Sequence, residues 1–162
     1  MNQTVYDAPD EAATDALGAA LATLLPRPAC VALRGTLGSG KTRLVQALAA
    51  ALGIDRALVS SPTFVLLHEY PGSTPLYHFD AYRLRDSEEF WNLGAEDYLA
   101  DRDAVTIIEW AERIPRCLPA QRLEIDIEVT GPTQRQFRIT ALGPDYRSVA
   151  ERLRAWSDRP ER

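Results

Sequence analysis

Gly35-Thr36-Leu37-Gly38-Ser39-Gly40-Lys41-Thr42 lies between a short apolar run, residues 29–33, and a stretch in which Leu44, Val45, Leu48, Ala49 and Leu52 recur at helical spacing. The order strand, glycine-rich turn, amphipathic helix decides the reading. Glycines let the backbone curl until successive N–H groups converge on one anion, and the helix starting near Lys41 aims its positive end at the same place. The pattern G-x-x-x-x-G-K-[ST] then assigns Lys41 to the β/γ oxygens of a nucleoside triphosphate and the hydroxyl of Thr42 to Mg²⁺. Gly38, Ser39, Gly40, Lys41, Thr42 and Arg43 are thus the first candidate nucleotide-binding residues. With this chain's own residue frequencies, a chance match anywhere along it has a probability of about 3 × 10⁻⁴. Of the 18 Lys and Arg residues, all but Lys41 are arginine. The sole lysine therefore stands where a compact ammonium does what a forked guanidinium does not.

Composition narrows the partners. The 162 residues are 46% hydrophobic and 25% charged, and they carry a net charge of −5. These values predict one globular domain, residues 1–158, followed by a frayed tail at 159–162. A protein that grips nucleic acid unaided usually carries a basic excess, so autonomous nucleic-acid binding is disfavoured. No apolar run reaches the roughly 18 residues of a membrane span, and the acidic start lacks the features of a secretory signal. Cys30 and Cys117 form no CxxC or Cys/His cluster, which points to a reducing, cytoplasmic setting.

Outward from the loop, Val5 and Tyr6 begin a strand and Asp10 caps a helix carrying Leu17, Leu21 and Leu24. Strands are expected at 64–68 and 76–79, parted by Pro71-Gly72-Ser73. A helix capped by Asp86 or Ser87 should reach about residue 99, and another strand should follow at 105–108. Strands 123–129 and 137–141 can pair through Gly131-Pro132, and a last helix covers 145–156. The result is a three-layer α/β domain whose central sheet is mixed, partly antiparallel, with flanking helices.

A hydrolysing site needs acids beside the metal. Asp80 and Glu109 each close an apolar strand, where ligands collect in open α/β sheets, although an acid there is also simply the first solvated residue. Guanine-reading proteins of this class use an Asn-Lys-x-Asp element, which a chain with one lysine cannot hold; ATP is the default. His68 and His78 lack partners at ligand spacing and read as structural, and Trp91 reads as core.

Four ordered elements then resemble the TsaE (YjeE) family of small bacterial P-loop ATPases that serve N6-threonylcarbamoyladenosine formation in tRNA. They are the loop 35–42, Ser61-Pro62-Thr63-Phe64, His78-Phe79-Asp80-Ala81-Tyr82-Arg83 and Glu109-Trp110. The resemblance implies that Thr42 and Glu109 hold Mg²⁺ and that Asp80 lies by the metal and γ-phosphate. It implies that Lys41, Asp80 and Glu109 form the catalytic set, that Thr63 belongs to a loop sensing the γ-phosphate, and that Trp110 lines the site or faces a partner. The base would rest between Asp10–Glu11 and a late loop holding Arg135. Its ATP would become ADP in service of a separate TsaD/TsaB complex that carries out the transfer beside the anticodon, tRNA being met through that complex. Two departures are Thr36, where the family often has an acid, and Arg43, where it often has a second hydroxyl. The alternatives are a small-molecule kinase of shikimate-kinase type, with Arg113 and Arg116 cast as a lid, and a non-hydrolytic switch in which ATP binding alone governs assembly.

Overall fold

Asp10 opens the first helix by accepting a 2.8 Å hydrogen bond from the Ala13 N–H, satisfying one of the amides a helix start leaves unpaired. The structure, a computed structural model, describes residues 2–160. In chain order it contains β1 (Gln3–Ala8), α1 (Glu11–Leu24), β2 (Ala29–Arg34), α2 (Lys41–Ala51), β3 (Leu67–Tyr70), β4 (Leu76–Asp80), α3 (Ser87–Asn92), α4 (Ala95–Leu99), β5 (Val105–Glu109), β6 (Arg122–Val129), β7 (Arg135–Leu142) and α5 (Pro144–Ser157). Among the described residues no helix is long and apolar enough to cross a membrane.

The seven strands among the described residues join one sheet in the order β1-β7-β6-β2-β5-β4-β3. The inner four, β6, β2, β5 and β4, run parallel, whereas β3 and β7 run antiparallel to their neighbours. The mixed sheet expected from the sequence is therefore present, with its parallel part in the middle. Buried on both faces, β2 carries a continuous apolar run over residues 29–33, and β5 is apolar apart from Thr106 and the terminal Glu109. Val31, Leu33, Val105 and Ile107 join the core beneath α1, α2 and α5; Cys30, Ala32 and Ile108 join a second core with Phe79, Phe90 and Ile114. Helices α1 and α2 meet closely, because a Cβ on Gly18 would lie 2.5 Å from Ala47 Cβ and 2.9 Å from Leu48 N.

Three expectations need correction. The strand expected at 64–68 begins only at Leu67: Leu66 takes φ +70° and its N–H donates to Pro62 O at 2.7 Å. That turn leaves Phe64 81% and Val65 60% exposed. The helix expected to run to residue 99 is two short helices, parted by Gly94 at φ +80°. Trp91, expected in the core, is 42% exposed, its ring tilted against Phe90 with 5.4 Å between centres.

Candidate functional site

The parallel strands β2, β4 and β5 end at one edge of the sheet. There β2 releases the glycine loop, and Asp80 and Glu109 stand opposite each other at the last rung of the β4–β5 pairing. Gly38 and Gly40 take φ +75° and +103°, a region that β-carbons disfavour, and so turn the loop into the first turn of α2. A cleft of about 370 Å³ is lined by Gly38, Ser39, Gly40, Lys41, Thr42, Arg43, Ser61, Thr63, Asp80, Tyr82, Glu109 and Trp110. Residues far apart in the chain thus meet at the positive end of a helix, where an anion is favoured.

Lys41 is nearly buried. Its Nζ donates to Gly35 O at 2.6 Å and Thr36 O at 2.9 Å, and it lies 4.1 Å from the centre of the Trp110 ring. Burial pushes its pKa below the ordinary lysine value, against the opposing pull of Glu109, Glu112 and Asp80. Trp110, at φ +57°, also stacks beside Tyr82 with 4.8 Å between ring centres.

The acids form one cluster. Thr42 Oγ1 is 3.3 Å from Glu109 Oε1, and Ser61 Oγ is 2.9 Å from both Glu109 Oε2 and Asp80 Oδ2. Thr63 Oγ1 lies 3.3 Å from Ser61 Oγ and 3.5 Å from Asp80 Oδ2, and Asp80 Oδ1 accepts from the Tyr82 N–H at 2.9 Å. Behind them the fully buried His78 places Nε2 3.5 Å from Glu109 Oε2. Burial acts to raise the Glu109 pKa, but contact with His78, the Ser61 hydroxyl and the Lys41 charge outweigh it and hold the carboxyl below its ordinary range. Ser61 has a single hydroxyl proton for two carboxylates, so one of the two oxygens it faces goes without that donor. Such oxygens suit a hard cation.

Among the described residues no three His, Cys, Asp or Glu side chains gather in metal-holding geometry. Mg²⁺ does not require that, since it keeps several waters and takes one or two protein ligands plus phosphate oxygens. The Thr42 hydroxyl and Glu109 carboxylate, with Asp80 behind Ser61, form an all-oxygen set that fits it.

Residues 8–137 match the family model described as threonylcarbamoyl adenosine biosynthesis protein TsaE. The chain belongs to the TsaE family. It is 42% identical over 122 residues to the tRNA threonylcarbamoyladenosine biosynthesis protein TsaE of Bacillus subtilis, covering 75% of each chain. It is 44% identical over 124 residues to the Synechocystis protein of the same name, covering 74% of this chain and 77% of that one. The crystal structure of Bacillus subtilis YdiB superposes with a TM-score of 0.81 at 32% identity, over 96% of this chain and 97% of that one.

In this TsaE chain the remaining candidates are placed unevenly. Arg135 reaches the loop, its Nε donating to Ser39 O at 2.8 Å. Arg43 lines the cleft, but its guanidinium is taken up by α1, 2.8 Å from Glu11 and 2.9 Å from Asp15. Glu11 is therefore tied to Arg43, whereas its neighbours Asp10 and Ala12 line a separate cavity of about 770 Å³ together with Tyr6, Pro9, Gln134 and Arg135. Sequence reasoning placed Ser61 in the γ-phosphate-sensing segment 61–64 but singled out only Thr63 there as a contact, and it read His78 as structural. Ser61 had a legible signal, a hydroxyl two residues before Thr63 in the same motif. His78 had one only in its spacing, two residues before Asp80 and so on the same strand face.

Proposed function

We propose that this TsaE protein is a Mg²⁺-dependent ATPase, formed by one domain acting in the cytoplasm. It turns ATP into ADP in support of N6-threonylcarbamoyladenosine formation and works through a TsaD/TsaB complex that itself handles the tRNA. The observation that carries this reading is the meeting of Lys41, Thr42, Ser61, Asp80 and Glu109 in one cleft at the N-terminus of α2. Family membership supports the link to tRNA modification.

In this account the loop amides of 38–42 cradle the β-phosphate, and Lys41 exchanges the carbonyls of Gly35 and Thr36 for the β/γ oxygens. Thr42 and Glu109 would hold Mg²⁺, which would supply charge neutralisation at the triphosphate. Asp80, anchored by the Tyr82 N–H, orients the attacking water, and Ser61 keeps the two carboxylates apart in role by sharing its hydroxyl between them. Thr63 and the exposed Phe64 and Val65 extend from that cluster to the surface. An uncovered apolar turn joined to the reacting end of the cleft supports gating by a partner protein.

The experiment is ATP turnover by the chain alone and with the TsaD/TsaB complex and tRNA. Release of inorganic phosphate, stimulated by the complex, is the expected result. Transfer of the phosphoryl group to an added acceptor would favour the kinase reading. Restored tRNA modification by a hydrolysis-dead Glu109→Ala protein would favour the switch.

A further inference from the structure

The 770 Å³ cavity is walled on one side by the end of β1 and the start of α1, through Tyr6, Ala8, Pro9, Asp10 and Ala13, and on the other by the last described residues, Arg159 and Pro160. Its size lies in the range of small-ligand sites. It is joined to the phosphate loop by Arg135, which lines the cavity while its Nε donates to Ser39 O at 2.8 Å and its Nη2 lies 3.4 Å from Gly38 O. Arg135 is thus the residue that connects the loop to the wall of this cavity.

We propose that Arg159 is a nucleobase-binding residue, closing the cavity from the C-terminal side and laying its guanidinium on the face of the base. The proposal rests on the nucleotide reading above. The geometry that delivers Arg159 is built into the fold. Helix α5 packs on β1 and β7, and Arg154 donates to Gln3 O. Near the end of the helix the Trp156 ring meets the Tyr6 ring, with 5.3 Å between centres. Tyr6 is itself fixed through its hydroxyl, which donates to Ala13 O at 3.0 Å. The chain beyond α5 is thus pinned over β1, and Arg159 falls at the cavity mouth three residues later.

Arg159 is exposed and has no ion-pair partner among the described residues, in contrast to Arg43 and Arg56, which both pair with Asp15. Opposite it stands a small apolar wall, Ala8, Pro9, Ala12 and Ala13, of the kind that accepts the second face of a flat ring. A planar, weakly hydrated cation over an aromatic face is favourable, and an ammonium reproduces it poorly.

The test is titration calorimetry on the full chain with Mg·ATP and, separately, with inorganic triphosphate, for the wild type, Arg159→Ala and Arg159→Lys. Arg159→Ala should lose roughly three- to thirtyfold in ATP affinity, with triphosphate affinity unchanged, and Arg159→Lys should recover little of it. A misfolded variant would lose both ligands, so the unchanged triphosphate binding isolates the base. Wild type preferring ATP over triphosphate while Arg159→Ala matches it would overturn the role of Arg159 alone. Full recovery with Arg159→Lys would overturn the planar contact. Wild type binding both ligands equally would overturn the base pocket itself, and the proposal with it.

Discussion

Asp80 and Glu109 face each other across the last rung of β4 and β5, and each has one carboxylate oxygen 2.9 Å from Ser61 Oγ. Two buried acids sharing one hydroxyl donor define the chemistry of the cleft more closely than either acid does alone. For Glu109, contact with His78, the Ser61 hydroxyl and the Lys41 charge favour the ionised carboxylate against its burial.

Ser61→Ala removes the shared donor without changing the backbone turn before Pro62. A hydrogen bond to a charged group contributes about 1.5–3 kcal/mol, so turnover should fall roughly 10- to 100-fold. Steady-state ATPase assays check this, and ATP affinity measured alongside should change much less than kcat.

Lys41→Arg tests the tightness of the cradle. The Lys41 ammonium is enclosed by Gly35 O, Thr36 O and the Trp110 ring. A planar guanidinium cannot occupy that volume without moving the loop, and turnover should fall by at least about tenfold. Activity within twofold of wild type would show that lysine at this position is compositional.

Gly18→Ala probes the contact between α1 and α2. The added methyl would sit 2.5 Å from Ala47 Cβ and 2.9 Å from Leu48 N, on backbone that cannot easily withdraw. Overpacking of this kind costs about 1–3 kcal/mol, which urea denaturation should register as a lower midpoint with an unchanged slope.

Asp15 gives a pH dependence with a definite sign. It pairs with both Arg43 and Arg56. Burial acts to raise its pKa, but the hydrogen bonds and charges of Arg56 and Arg43 outweigh that and hold it below the ordinary aspartate value. Folding therefore favours the ionised form. The stabilisation is complete above the unfolded-state pKa and is lost as pH falls through the lower folded-state value. The stability gap between wild type and Asp15→Asn, on the order of 1 kcal/mol for a partly exposed network, should be present at neutral pH and close under acid denaturation. A gap that widened in acid would contradict the pairing.

What the sequence revealed, and what it hid, follows from how local each cause is. The loop 35–42 with its flanking strand and helix was legible because glycine conformation, apolar periodicity and the lone Lys41 all act within a few residues. The Asp10 and Asp86 caps were legible for the same reason, and both accept the expected amide hydrogen bonds. Residues 64–66 were misread as strand because Phe64, Val65 and Leu66 look apolar and β-prone, while the turn that exposes them depends on Leu66 donating back to Pro62. Gly94 ended a helix whose pattern continued beyond it. Ser61 and His78 meet Glu109 from 48 and 31 positions away in sequence, His78 through the pairing of β4 with β5 and Ser61 through the loop that precedes β3. Arg43 lines the cleft as expected, and the pairing of its guanidinium with Glu11 and Asp15 was hidden because those carboxylates lie on α1, far away in sequence.

The most direct measurement is calorimetric titration of Mg·ATP into the wild-type chain and into Lys41→Ala. Saturable heat with one nucleotide per chain, weakened at least about tenfold in the variant by loss of a charge-assisted contact, is the predicted result. Absence of heat in the wild type, or equal affinity in the two proteins, would contradict the assignment of the loop to a triphosphate.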